Sequence, residues 1–126
     1  EGLVGRIVES SHRAARVLLL TDYNSRVPVT VEGSRQRAIL AGDNSDMPVL
    51  LYMPPDSSVP DGARIVTSGI GGVFPIGLPV GVVVSAPDGK KVVRLFADVS
   101  RLMHVRIVSV PEDPNLLRGQ PVSIDE

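Results

Sequence analysis

The sequence predicts an all-β fold, and three observations carry that reading. Hydrophobic residues make up 43% of the 126 positions but aromatics only 3%, so aliphatic side chains, many of them valines suited to a pleated surface, must fill the core. The apolar runs are short, and many of them alternate with polar residues. Clusters of Gly, Pro, Asp, Asn and Ser separate them. At this length the chain forms one compact unit, with one core or two small barrels sharing an interface.

Taken in order, LVGRIVE (3–9) alternates around a glycine and AARVLLL (14–20) is an aliphatic run, with Ser10, Ser11 and His12 marking a hairpin between them. VPVTV (27–31) alternates strictly, and Pro28, lacking an N–H, predicts an edge strand or a strand start. Its expected partners are 37–41 and 49–53, joined by the turn-rich GDNSDMP (42–48). A second turn region, PPDSSVPDG (54–62), precedes a strand over 63–67. VGVVVSA (80–86) and KVVRLFA (91–97) flank Pro87-Asp88-Gly89-Lys90, and Asp-Gly between two β-type runs is the strongest short-range hairpin signal. Asp98 or Ser100 could cap one short helical turn near 98–104, ahead of a last strand over 105–110. The segment 111–126 has three prolines, mixed charge and no periodicity, and reads as a mobile tail.

Composition narrows the function. Thirteen Lys and Arg stand against 14 Asp and Glu, leaving no basic excess for phosphates or anionic lipids. The four aromatics Tyr23, Tyr52, Phe74 and Phe96 are too few for the stacking platforms of single-strand binders. The absence of cysteine excludes disulfides, thiolate catalysis and finger-type zinc sites. No apolar stretch approaches the roughly 20 residues of a bilayer-spanning helix. A start at Glu1 reads as a piece of something longer.

The segment Thr67–Gly81, TSGIGGVFPIGLPVG, holds five glycines and two prolines. It fails as a dinucleotide fingerprint, because Phe74 stands where the third glycine belongs, and as a P-loop, because Leu78-Pro79 replaces Lys-Ser/Thr. The glycines therefore read as backbone geometry, with Phe74 as a core aromatic or, if exposed, a partner anchor. His12, an aspartate such as Asp22, and Ser68 follow the chain order of a chymotrypsin-like triad, but Thr67 precedes the serine where an oxyanion-hole loop would need another residue. Asp43, Asn44 and Asp46 resemble only the start of a calcium loop and read as turn caps. His104 reads as a structural histidine, and Arg26, Arg35 and Arg37 as a solvated face. No catalytic, metal or cofactor residue is assigned.

The order of these residues resembles the extracytoplasmic β-rich region of the rod shape-determining MreC family. The likeness runs through 5–8, 15–22, 26–29, 38–42 and 66–69, then Gly71 to Gly81, and on to the strand at 105–108, covering about 110 of the 126 residues. Its most specific stretch is T-S-G-x-G-G-x-F-P-x-G-x-P-V-G, carried by Thr67, Ser68, Gly69, Gly71, Gly72, Phe74, Pro75, Gly77, Pro79 and Gly81. The Gly-Asp usual before this strand appears as Asp61-Gly62-Ala63-Arg64.

The resemblance implies two small β-barrels of chymotrypsin-like architecture without its catalytic residues. We expect one centred on 27–60 and the other on 1–22 plus 63–110, with 111–126 as the tail. It further implies a non-catalytic scaffold on the periplasmic side of the inner membrane, anchored by a single helix absent from this segment. That scaffold would organise peptidoglycan synthases of the cell-elongation machinery and maintain rod shape through penicillin-binding protein 2, MreD, the MreB system and self-association as oligomer or filament. Val27, Pro28, Val29, Val73, Phe74, Ile76 and Leu78 are the expected partner surface, reached through strand edges and apolar patches. A hydrolase and an RNA-binding barrel are the alternatives; labelling of Ser68 by a fluorophosphonate, or salt-dependent RNA retention, would favour them.

Overall fold

A computed structural model describes residues 2–54, 59–98, 105–108 and 121–124. Among the described residues lie ten strands: β1 (Leu3–Ser10), β2 (Ala15–Leu19), β3 (Arg26–Val31), β4 (Arg37–Ala41), β5 (Val49–Leu51), β6 (Arg64–Thr67), β7 (Pro79–Ser85), β8 (Lys91–Leu95), β9 (Val105–Ile107) and β10 (Pro121–Ile124). The all-β expectation holds, and no helix occurs among the described residues. The helical turn proposed near 98–104 falls almost wholly outside them.

Six strands close a barrel in the order β3-β4-β5-β8-β7-β6, and the other four form a sheet in the order β2-β1-β10-β9. This differs from the expected division. The strands of 64–95 belong with those of 26–51, because β6 pairs with β3 at Val29↔Thr67 and β8 pairs with β5 at Val49↔Val92. Alternation marks which side chains point inward, but it does not encode which strands become neighbours. A second correction concerns the tail, where Pro121–Ile124 forms β10 against Arg6, Gly5 and Leu3 of β1. Proline is tolerated there as the first residue of a strand.

The barrel interior is aliphatic, as composition required. Val27, Val29, Val31, Leu40, Ile65, Val80, Val83 and Val93 are all but fully buried in one cluster, which also takes in Leu3 and Leu20. Those two leucines flank the β1–β2 hairpin at its barrel end, so the small sheet and the barrel share a core. A smaller cluster of Val4, Ile7 and Ala97, with Leu19 against it, extends the join. Gly42 completes the contact on the loop side: its amide donates to the Ser25 carbonyl at 3.1 Å, and any Cβ there would collide with the backbone of Thr21 and Asp22. The neighbouring Asn44 accepts the Tyr23 amide at 2.9 Å and donates its own to the Thr21 carbonyl at 2.8 Å.

Pro28 is not on an edge. β3 pairs with β4 on one side and β6 on the other. The missing N–H is harmless because the β3–β6 register starts at Val29↔Thr67, while the Pro28 carbonyl still accepts the Ser68 amide at 3.1 Å.

Candidate interaction surface

The glycine- and proline-rich segment is an excursion between β6 and β7, and Thr67 holds it shut. Its amide donates to the Leu78 carbonyl at 2.9 Å, and its carbonyl accepts the Gly77 amide at 2.8 Å. Its hydroxyl donates to the Pro75 carbonyl at 2.5 Å and accepts the Leu78 amide at 2.8 Å. Thr67 itself is fully buried. Between these anchors the chain turns through positive φ at Gly69, Gly71, Gly72 and Gly77, a conformation that a Cβ strongly disfavours.

The amides of Ile70, Gly72, Gly77 and Leu78 all donate within the segment, and a strand rather than a helix follows it. The loop therefore spends these four amides on its own closure and lacks the helix N-terminus that cradles a phosphate. Thr67→Val keeps the shape but strands the Pro75 carbonyl and the Leu78 amide in the interior. Its expected cost is about 2–4 kcal/mol, measurable by chemical denaturation.

Closure sorts the segment into an inner and an outer side. Phe74 is 4% exposed and joins the barrel core, with Val73 and Leu78 packed partly against it. Ile76 is 78% exposed and Ile70 46%. Gly69 lies against Ile76, since a Cβ there would meet the Ile76 Cβ at 3.1 Å.

The expected partner surface therefore needs correcting. Val27, Val29 and Phe74 point into the barrel and cannot meet a partner without unfolding it. Pro28, Val73 and Leu78 remain half-buried and Ile76 exposed. The register adds residues that the sequence reading missed: Pro28 faces Ile39, Ile39 faces Leu51, and all three are half-buried. Strict alternation in β3 and β4 was the signal available for this row. Tyr52 follows it, 80% exposed and at φ 66, a conformation uncommon for a non-glycine residue.

The triad residues are not assembled. His12 is exposed in the β1–β2 turn, and at about 3.3 Å per residue that turn lies on the order of 20 Å from Leu3. Asp22 follows Leu20, whose amide bonds Val4 at the opposite end of the hairpin, and its carboxylate accepts the Asn24 amide at 2.8 Å. The Ser68 hydroxyl accepts the Ile70 amide at 3.3 Å.

Elsewhere Asp43 caps its own turn. Hydrogen bonds from the Ser45 hydroxyl and amide hold its carboxyl below the ordinary value. Ser85 donates to Asp61 at 2.7 Å and Lys91 donates to Ser85 at 2.8 Å, so the Ser85 hydroxyl, then Lys91, hold the exposed Asp61 carboxyl low. Arg26 spends its guanidinium on the Tyr23 and Ser25 carbonyls, while Arg35 and Arg37 are exposed. No group of three or more His, Cys, Asp or Glu suited to a metal occurs among the described residues. His104 lies outside them.

A closed six-stranded barrel joined to a small sheet, with an apolar patch outside and its glycine loop locked by hydrogen bonds, defines an all-β barrel domain. The profile of one family, "Rod shape-determining protein MreC, barrel core", matches residues 1–109, and the chain belongs to that family. It is similar to the cell shape-determining protein MreC of Cereibacter sphaeroides, at 48% identity over 95% of this chain and 42% of that protein. It is also similar to the Caulobacter vibrioides protein of the same name, at 50% identity over 85% of this chain and 31% of that protein. The chain thus spans less than half the length of either. A solved MreC structure superposes with a TM-score of 0.72 at 29% identity, covering 98% of this chain and 65% of the other.

Proposed function

We propose that this barrel is the extracytoplasmic part of a membrane-anchored scaffold that organises peptidoglycan synthases during cell elongation and maintains rod shape without catalysing a reaction. Membership of the MreC family is the observation that carries this reading. Penicillin-binding protein 2 is the first partner in it. A solved complex between Penicillin-Binding Protein (PBP2) and MreC from Helicobacter pylori shares the fold, with a TM-score of 0.62 at 18% identity, and the name of that complex motivates the choice. MreD, the MreB system and other copies of the chain complete the assembly.

The contact is made through surface side chains. Ile76 and Ile70, together with the half-buried Pro28, Val73, Leu78 and Ile39, supply the apolar area, because exposed large aliphatics on a loop closed by hydrogen bonds give up little entropy on binding.

Affinity purification of the full-length parent from bacterial membranes tests the reading. It should recover penicillin-binding protein 2 with other cell-wall synthases, and a preparation free of synthases would defeat the proposal. In the same assay Ile76→Glu should reduce recovery about tenfold or more, while its unfolding midpoint stays with that of the parent. Undiminished recovery would place the contact elsewhere.

A further inference from the structure

The barrel is closed unevenly. β3–β4 and β7–β8 each align five residue pairs, and β3–β6, β4–β5 and β6–β7 three each, whereas β5–β8 aligns one, Val49↔Val92. Backbone chemistry limits that ladder at both ends. On one side stands Pro48, which accepts the Val93 amide at 2.8 Å but has no N–H to return a second bond. On the other, β8 begins at Lys91, directly after the Asp88-Gly89 turn, so the strand runs out one residue beyond the Val49↔Val92 pair. Lys91 of β8 does not reach across to β5: it donates to Ser85 of β7 and pairs with Asp61. What holds β5 to β8 is mainly the burial of Leu50, Val92 and Val93, which are 6%, 8% and 0% exposed.

We infer that the β5–β8 seam is a built-in opening of the barrel, where the closed cylinder converts locally to a curled six-stranded sheet while every other ladder stays paired. β5 remains on β4 through Ile39↔Leu51, Leu40↔Leu50 and Ala41↔Val49, and β8 remains on β7 through its five pairs. Opening therefore exposes two short strand edges and the buried side chains of Leu50, Val92 and Val93 without global unfolding, the kind of sub-global event that hydrogen exchange resolves.

Native-state amide exchange on the 126-residue chain, followed residue by residue by NMR, tests this. The Val93 amide should be protected about tenfold less, or weaker still, than the amides of Thr67 and Phe96, which bond to Leu78 and Val80. Equal protection at the three positions would overturn the inference. A second arm uses Val49→Cys with Val92→Cys, a pair directly opposed across the seam in a chain with no cysteine of its own. Partners so placed lie about 4.5–5.5 Å apart at Cα, within disulfide reach. Oxidation should close the gap, bringing Val93 protection up to that of Thr67 measured in the same oxidised chain. A Val93 rate that is the same in the oxidised and reduced forms would overturn it equally.

Discussion

Phe74→Ala should lower the unfolding free energy by about 3–5 kcal/mol. Phe74 is the one aromatic in the buried core of the described residues, set among valines and leucines whose β-branched or short side chains have little freedom to collapse into the space it would vacate. The loop that carries it is pinned at both ends by Thr67, so the backbone is held from following. Phe74→Leu keeps most of the volume and should cost less than about 1.5 kcal/mol. Urea denaturation of the two variants separates a packing role from a surface role, since an exposed partner anchor would tolerate both changes within about 0.5 kcal/mol.

The second large effect is expected at Gly42→Ala, with a loss of about 3 kcal/mol or more. The added methyl has no side chain to push aside; it meets the backbone carbon and oxygen of Asp22 and the carbon of Thr21. Relief requires parting the small sheet from the barrel where Gly42, Ser25, Asn44 and Tyr23 are hydrogen-bonded together. Gly71→Ala is the matched control. It has open space around it at φ 83, so only the left-handed strain of roughly 1–2 kcal/mol applies. Thermal unfolding of the pair should show the two costs clearly apart.

These expectations show where the sequence is legible. Strand positions follow from short-range chemistry, and the Asp88-Gly89 hairpin and the run from Val27 to Val31 appear where alternation and turn residues put them. The inward face of β3 was legible too. Pro28 suggests an edge, and with it a partner surface for Val27 and Val29, but the pairing of β3 with both β4 and β6 removes that reason.

Strand neighbours were not legible. Closing β3 on β6 and β5 on β8 is a long-range outcome of the shared core, and so is the docking of 121–124 on β1. In the glycine loop no period operates at all. Phe74 and Ile76 flank the same proline and are equally apolar, yet one is buried and the other exposed. The Thr67 bonds to Pro75, Gly77 and Leu78 decide between them, and no local pattern announces those bonds.

The segment Thr67–Gly81 is thus a clasp with an inner and an outer side: the inner side packs into the barrel core, and the outer side is the surface we propose for partners. The direct measurement is the difference in unfolding free energy between Thr67→Val and Ile76→Glu, determined in the same denaturant series. A gap of at least about 1.5 kcal/mol is predicted, with Ile76→Glu within about 0.5 kcal/mol of the unaltered chain. Equal destabilisation by both variants, or none by Thr67→Val, would contradict it.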